Sequence, residues 1–205
     1  MKFNIEFQAV MMSKKDLRRQ QIIQAAAEVF GNSNFQNASI SEIAQRANIA
    51  EGTVYQYFKN KEDLFFSIPA QKTEEFCKEF NLHLQGIHDP VGKIRKLIWY
   101  YLYFFKTNPA YARSLMLEMR VSRGFIRSET YDKIKAFTKN VLDIIKEGQS
   151  EGQIRKDVGV YAIRELILGV LEYRVTRWLL KEEKYDLIQD YDEVCTLIFS
   201  GIKSS

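Results

Sequence analysis

Histidine, cysteine and proline are all scarce in this sequence, and each scarcity removes a class of function. Its 205 residues include two histidines, two cysteines and three prolines. His83 and His88 stand near a loop with no cysteine beside them, so they make no metal-ligand set. Cys77 and Cys195 are far apart and too few for a disulfide framework, and are expected as buried or half-buried thiols. There is no nucleophile elbow, no phosphate-cradling glycine loop and no zinc pattern, so neither an enzyme nor a bound metal or cofactor is expected. Long apolar runs are also missing. The longest, Leu97–Phe105, is nine residues, about half of the roughly 20 that span a bilayer. Met1–Met12 alternates Phe3, Ile5 and Phe7 with Lys2, Asn4 and Glu6, which is no secretory signal, so a cytoplasmic protein without membrane partners is expected. Nor does one sign of charge prevail: 30 Lys and Arg face 26 Asp and Glu, for a net charge of +4. That permits a nucleic-acid partner without arguing for one, and the clustering of charge has to decide.

What remains is helix, and the expected class is all-α. A first helix over 13–31 carries the stripe Ile23, Ala26, Ala27 and Phe30. After a polar break at Asn32–Asn37, anchored by Phe35, Ser39-Ile40-Ser41-Glu42 has capping-box form. A short second helix follows with Ile40, Ile43, Ala44 and Ala47, then the turn Asn48-Ile49-Ala50 and a third helix over Glu51–Phe58. Asn60 caps a fourth that runs to about Gln85, where Pro69 should kink or interrupt it. Asp89-Pro90 and Asn108-Pro109 open helices over 90–106 and 109–119. Further helices are expected over 128–150, 158–181 and 187–202. The organisation read from this is an extension over 1–12, a DNA-binding domain over 13–60, and a larger domain over 61–205.

Two short helices joined by a tight turn and braced by a longer one describe a helix-turn-helix. On the third helix, at about 100° per residue, Val54 and Phe58 share the core side, and Ile49 joins them. Gly52, Thr53 and Gln56, flanked by Tyr55 and Tyr57, form the opposite arc, with hydroxyls, an amide and a bare backbone suited to a DNA groove. Phosphate donors around it would be Ser39 at a helix start, Lys59, Lys61 and the cluster Lys14, Lys15, Arg18 and Arg19. Arg46 can point either way. Each charge alone reads better as a solvated surface group. Their order and spacing together point to double-stranded DNA.

These residues carry a resemblance. Ser39-Ile40-Ser41-Glu42-Ile43-Ala44 followed by Glu51-Gly52-Thr53-Val54-Tyr55-Gln56-Tyr57-Phe58-Lys59-Asn60-Lys61-Glu62-Asp63-Leu64 resembles the signature of the tetracycline-repressor (TetR) family over about Leu17 to Phe65. The resemblance implies a three-helix DNA-binding domain, a larger helical domain for ligand binding and dimerisation, and repression of a palindromic operator relieved by a small ligand. It also implies DNA contacts, chiefly to phosphates, from Ser39, Glu51, Gly52, Thr53, Tyr55, Tyr57 and Lys61. Ala50 departs from the pattern, which usually has a Ser or Thr cap there.

A helix-turn-helix normally works in pairs, and the last two helices are the natural surface for pairing. The candidates are Ile163, Ile167, Val170, Arg174, Val194, Leu197 and Ile198, with Gly169 as a close-approach point. Packing within one chain would use the same residues. Leu97–Phe105 is apolar or aromatic all round and must be surrounded, either in a plain core or around a ligand. The chamber candidates are Trp99, Tyr100, Tyr103, Phe104, Met116, Met119, Arg120, Arg123 and Phe125. The C-terminal part resembles the fatty-acid-degradation repressors of the same family. The residues are Leu117-Glu118-Met119-Arg120, Glu147-Gly148-Gln149-Ser150-Glu151-Gly152 and Thr176-Arg177-Trp178 through Asp186-Leu187. That likeness implies a long-chain acyl-coenzyme A effector. A drug or other flat aromatic compound, suggested by Tyr100, Tyr101, Tyr103 and Phe104, and a ligand-independent DNA-organising protein are the competing readings.

Overall fold

The computed structural model describes residues 13–32 and 35–203. The expected extension over 1–12 and the centre of the polar break lie outside the described residues. Helix α1 spans Lys14–Asn32. Ser13 starts it: its hydroxyl accepts from the Asp16 amide at 3.1 Å while the Asp16 carboxylate accepts from the Ser13 amide at 3.2 Å. The buried stripe of α1 is Ile22, Ala25 and Ala26, one position earlier than expected, with Ile23, Ala27 and Phe30 half-buried at its edge.

Helix α2, Ile40–Arg46, has the full capping box at Ser39 and Glu42. Ala47 and Asn48, the latter at φ 52°, form the turn. Helix α3 is Glu51–Tyr55, shorter than the expected Glu51–Phe58. It stops because the Tyr57 and Phe58 amides both converge on the Val54 carbonyl at 3.0 Å, which turns Phe58 into the core. Ala50 holds the N-cap position with no side-chain bond to the helix. Ala50→Ser should therefore stabilise the protein by about 1 kcal/mol, measured as a higher denaturation midpoint at unchanged slope. An unchanged midpoint would show that the cap is not limiting.

Helix α4 spans Lys61–His83 and runs through Pro69 without interruption, the stronger of the two expected effects. Hydroxyls satisfy carbonyls on either side: Ser67 donates to the Asp63 carbonyl and Thr73 to the Pro69 carbonyl, each at 2.8 Å. The chain divides into two compact units within this helix, residues 1–68 and 69–205.

In the first unit, Ile22, Ala26, Ile43, Ala44, Val54, Phe58 and Leu64 form the core. Phe35 is the expected anchor and packs its ring 4.9 Å from Phe65 and 5.9 Å from Phe30.

Among the described residues the second unit contains the rest of α4, five further α-helices, a π-helical turn and the 3₁₀ turn Phe125–Arg127. Helix α5 is Pro90–Thr107, with Asp89 accepting from the Gly92 amide at 2.6 Å. Helix α6 is Pro109–Arg113, and Asn108 does not cap it, because its side chain donates back to the Phe104 carbonyl. The expected single helix over 109–119 is divided, since Ser114–Met119 winds as a π-helix closed by the Arg120 amide on the Leu115 carbonyl. Helix α7 is Glu129–Ser150, α8 is Val160–Leu180 and α9 is Tyr191–Ile202. Helix α9 begins four residues later than the expected 187, because the Asp186 carboxylate accepts from the Ile188 amide and holds a turn there.

The Glu147–Gly152 segment has a structural purpose. A Cβ on Gly148 would lie 2.5 Å from the Ile154 side chain, Gly152 ends the turn at φ +74°, and the Gln149 amide donates to the Arg155 and Val158 carbonyls. Among the described residues no helix is long and apolar enough to cross a membrane.

Candidate DNA-binding face and ligand chamber

The first unit places its core and its candidate contact residues on opposite sides of α3. Val54 is fully buried and Phe58 nearly so, while Glu51, Gly52, Tyr55 and Gln56 are exposed. Thr53 and Tyr57 are half-buried, and Tyr57 packs against the core. A Cβ on Gly52 would meet nothing within 4 Å. Packing within the chain therefore does not require a glycine at this position. Ser39 accepts from the Glu42 amide at 3.1 Å and its hydroxyl donates to the Glu42 carboxylate at 2.9 Å. The Ser39 amide and hydroxyl hold the Glu42 carboxyl below its usual range.

Lys61 has an internal task as well. Its ammonium donates to the Ala38 carbonyl at 2.7 Å, reaches Gln36, and lies 4.7 Å from the Phe35 ring centre, so it clamps the segment that leads into Ser39. Arg46 points towards α1, where it pairs with Glu28. Lys14, Lys15, Arg18 and Lys59 are exposed, and Arg19 lies over the Phe58 ring.

In the second unit the aromatic run of α5 splits by face. Trp99 and Tyr103 stack on each other 4.9 Å apart and 9° from parallel, away from the aromatic cavity described next, and Trp99 borders a separate open concavity of about 330 Å³ with Arg95, Lys96 and Tyr191. The stacked pair follows Lys96 and precedes Lys106 at helical spacing, a solvent-face pattern already visible in the sequence. Tyr100 is buried and donates to Glu79 at 2.9 Å, and Phe104 lies edge-on to Phe76.

The cavity sits one face further round. It measures about 30 Å³, and Phe76, Tyr101, Phe105, Tyr111, Arg120 and Glu172 are among its walls. Of the nine expected chamber residues only Arg120 lines it. Met116, Met119 and Phe125 are packed in the core, and Arg123 is exposed.

Two polar elements interrupt this aromatic space. Tyr111 and Thr73 share a hydrogen bond of 2.9 Å. Arg120 grips Glu172 with both ends of its guanidinium, one bond measuring 2.7 Å. Burial pushes the Tyr101 and Tyr111 hydroxyls well above the usual phenol range, so both stay neutral. Burial works to lower the Arg120 pKa, but the Glu172 hydrogen bond and charge outweigh it and hold it above the usual value.

Helices α8 and α9 carry a larger concavity, a groove of about 530 Å³ lined by Leu166, Val170, Tyr173, Arg177, Val194 and Leu197, among others. Leu197 is 73% exposed, Tyr173 66% and Leu166 44%. Arg174 lines the groove too and pairs with Asp190 at 3.0 Å, leaving its buried Nε without a partner among the described residues. Of the expected pairing residues, Ile163, Ile167, Val194 and Ile198 are at most 3% exposed in the single chain. Ile163 and Ile167 therefore belong to its own core, Val194 and Ile198 form the groove floor, and the outward residues are Leu166, Val170, Leu197 and Tyr173, the last not singled out from sequence. Among the described residues no group of three or more His, Cys, Asp or Glu side chains could hold a metal.

Known proteins share this arrangement. Residues 22–68 match the family described as bacterial regulatory proteins, tetR family, and residues 70–201 match the YsiA-like protein, C-terminal region. The fatty acid metabolism regulator protein of Bacillus subtilis (strain 168) is 31% identical over 192 residues, covering 93% of this chain and 98% of that protein. The crystal structure of the transcriptional regulator FadR from Bacillus subtilis in complex with stearoyl-CoA superposes with a TM-score of 0.78 at 30% identity, covering 89% of this chain and 98% of that one. The fatty acid degradation regulator FadR from Bacillus halodurans gives 0.76 at 28% identity, over 92% and 97% of the two chains. With both parts of the chain matched and the helix-turn-helix built as its sequence indicates, this protein belongs to the TetR family, whose members here are transcriptional regulators and not enzymes.

Proposed function

We propose that the chain is a dimeric repressor that binds a palindromic operator through α2 and α3 and releases it when a long-chain acyl ligand, acyl-coenzyme A, enters the second unit. The observation that carries the DNA reading is the two-sided α3, with Val54 and Phe58 inward and Glu51, Gly52, Tyr55 and Gln56 outward. Thr53, Tyr55 and Gln56 would read the groove, while Ser39, Tyr57 and Lys61 would hold phosphates. Leu166, Val170, Tyr173 and Leu197 would meet a second copy across a two-fold axis, and the partnerless Arg174 Nε would gain an acceptor there. The stearoyl-CoA complex of the related regulator supports the ligand class.

At about 30 Å³ the cavity is the size of one water and far below the roughly 300 Å³ of a ligand pocket, so the ligand has to select an opened state. A protein of this kind works in the cytoplasm, where operator and acyl-coenzyme A are both present. Its walls of Phe76, Tyr101, Phe105 and Tyr111 favour one second reading, a flat aromatic effector.

Selection from a random duplex pool, followed by fluorescence anisotropy with and without stearoyl-coenzyme A, tests the proposal. The expected result is a palindrome with half-site centres about 34–36 Å apart and release by the thioester. Failure to enrich any sequence would remove the DNA reading. Enrichment without release would leave the aromatic effector.

A further inference from the structure

The Arg120–Glu172 pair is out of keeping with its surroundings. The rings and aliphatic groups of Phe76, Tyr101, Phe105, Leu115 and Leu168 wall the same small cavity. The pair is only half-buried, its side chains 27% and 33% exposed, and an ion pair that water reaches adds little stability, so stability does not explain it. Removing only one member leaves the inner side of the other charge against apolar walls, with water alone to solvate it. Arginine cannot shed its proton to escape that state. Anything that draws Glu172 away must therefore supply oxygen acceptors of its own, and the guanidinium fork fits a carboxylate best.

The two residues also sit on elements suited to a switch. Arg120 closes the π-helical segment Ser114–Met119, whose Leu115 is another cavity wall, and such segments recur at functional sites because one turn can rewind. Glu172 lies on α8 beside Tyr173 and Arg174, both of which line the outer groove.

We propose that Arg120 is the receptor for the oxygen-bearing head of the acyl ligand, which replaces the Glu172 carboxylate, and that the release of Glu172 carries occupancy to the groove face of α8. This rests on the acyl-ligand reading above and deepens it by naming the residue that selects the ligand and the bond it breaks. A free carboxylate and a thioester carbonyl share the required acceptor chemistry, and the experiment separates them.

Stearate, stearoyl-coenzyme A and octadecanol are titrated by calorimetry into the wild type, Glu172→Gln and Arg120→Met, with thermal denaturation as the check on folding. Glu172→Gln removes the charged competitor, so at least one of the two carbonyl-headed ligands should bind roughly tenfold or more tightly while octadecanol, which has only a hydroxyl, stays within about threefold. Arg120→Met should weaken that same ligand by a similar factor and spare octadecanol. An effect on stearate alone identifies the free acid, and one on stearoyl-coenzyme A alone identifies the thioester. Either supports the proposal.

If a single variant is unstable, the double variant Arg120→Met with Glu172→Met restores an apolar wall, and it should lose the preference for the carbonyl-headed ligand over octadecanol. Wild-type binding with all three ligands altered alike, or none altered, would overturn the proposal and leave the acyl reading standing. No binding of any of the three to the wild type would overturn both.

Discussion

Leu197→Asp is expected to leave the chain folded and make it a monomer, with operator affinity lower by about two orders of magnitude or more. The side chain is 73% exposed in the single chain, so a carboxylate there is solvated and should change stability by less than about 0.5 kcal/mol. Paired copies are a different case. Leu197 lines the α8–α9 groove with Leu166 and Tyr173, and a two-fold axis would bury the new charge twice without a counter-ion. Losing the second half-site removes the effective concentration that links two binding events, commonly worth about 10²–10⁴ in affinity. Sedimentation velocity reads the mass and anisotropy reads the operator. A variant that stays dimeric would place the interface elsewhere.

Phe76→Ala should produce the largest stability change, about 3–5 kcal/mol. The Phe76 ring centre lies within 6.2 Å of those of Tyr100, Tyr101, Phe104, Phe105 and Phe137, so deleting it removes the hub that joins α4, α5 and α7 in the second unit. For a chain of this length, that loss lowers the melting temperature by roughly 10 °C or more. Phe76 also walls the small cavity, so the void joins the space proposed for the ligand. Stearoyl-coenzyme A should therefore raise the melting temperature of the variant more than that of the wild type. A loss below about 1 kcal/mol would mean that the cluster repacks around the gap. Equal shifts in the two proteins would separate Phe76 from the ligand site.

The helix-turn-helix was legible because local rules govern it. A capping box needs Ser39 and Glu42 three residues apart, and the inward pair Val54 and Phe58 follows from helical spacing, so residues within one or two turns decide the outcome. Local rules also locate the starts of α4 at Asn60 and α5 at Asp89. They overreach where a tertiary demand intervenes. The Tyr57 and Phe58 amides close on Val54 and end α3 early.

The chamber was harder to read because the run Leu97–Phe105 within α5 is apolar or aromatic on every side, so its own periodicity cannot rank the faces. Trp99 and Tyr103 were legible as solvent-facing only through Lys96 and Lys106, their neighbours on that face. Nothing local marks Tyr101 and Phe105 as the cavity face, because that depends on Phe76, Phe137 and Leu168, which reach it from three other helices.

The sequence by itself determined the all-helical class, the helix-turn-helix and the family, since each rests on residues close together in the chain. Only the tertiary structure decided which side of α8 faces inward, with Ile163 and Ile167 in the core and Leu166 and Tyr173 outside. It alone brought Arg120 to Glu172, 52 residues away. Burial and ion pairing between distant segments are properties of the packed chain, and a helix with apolar residues all round specifies that it will be surrounded without specifying by what.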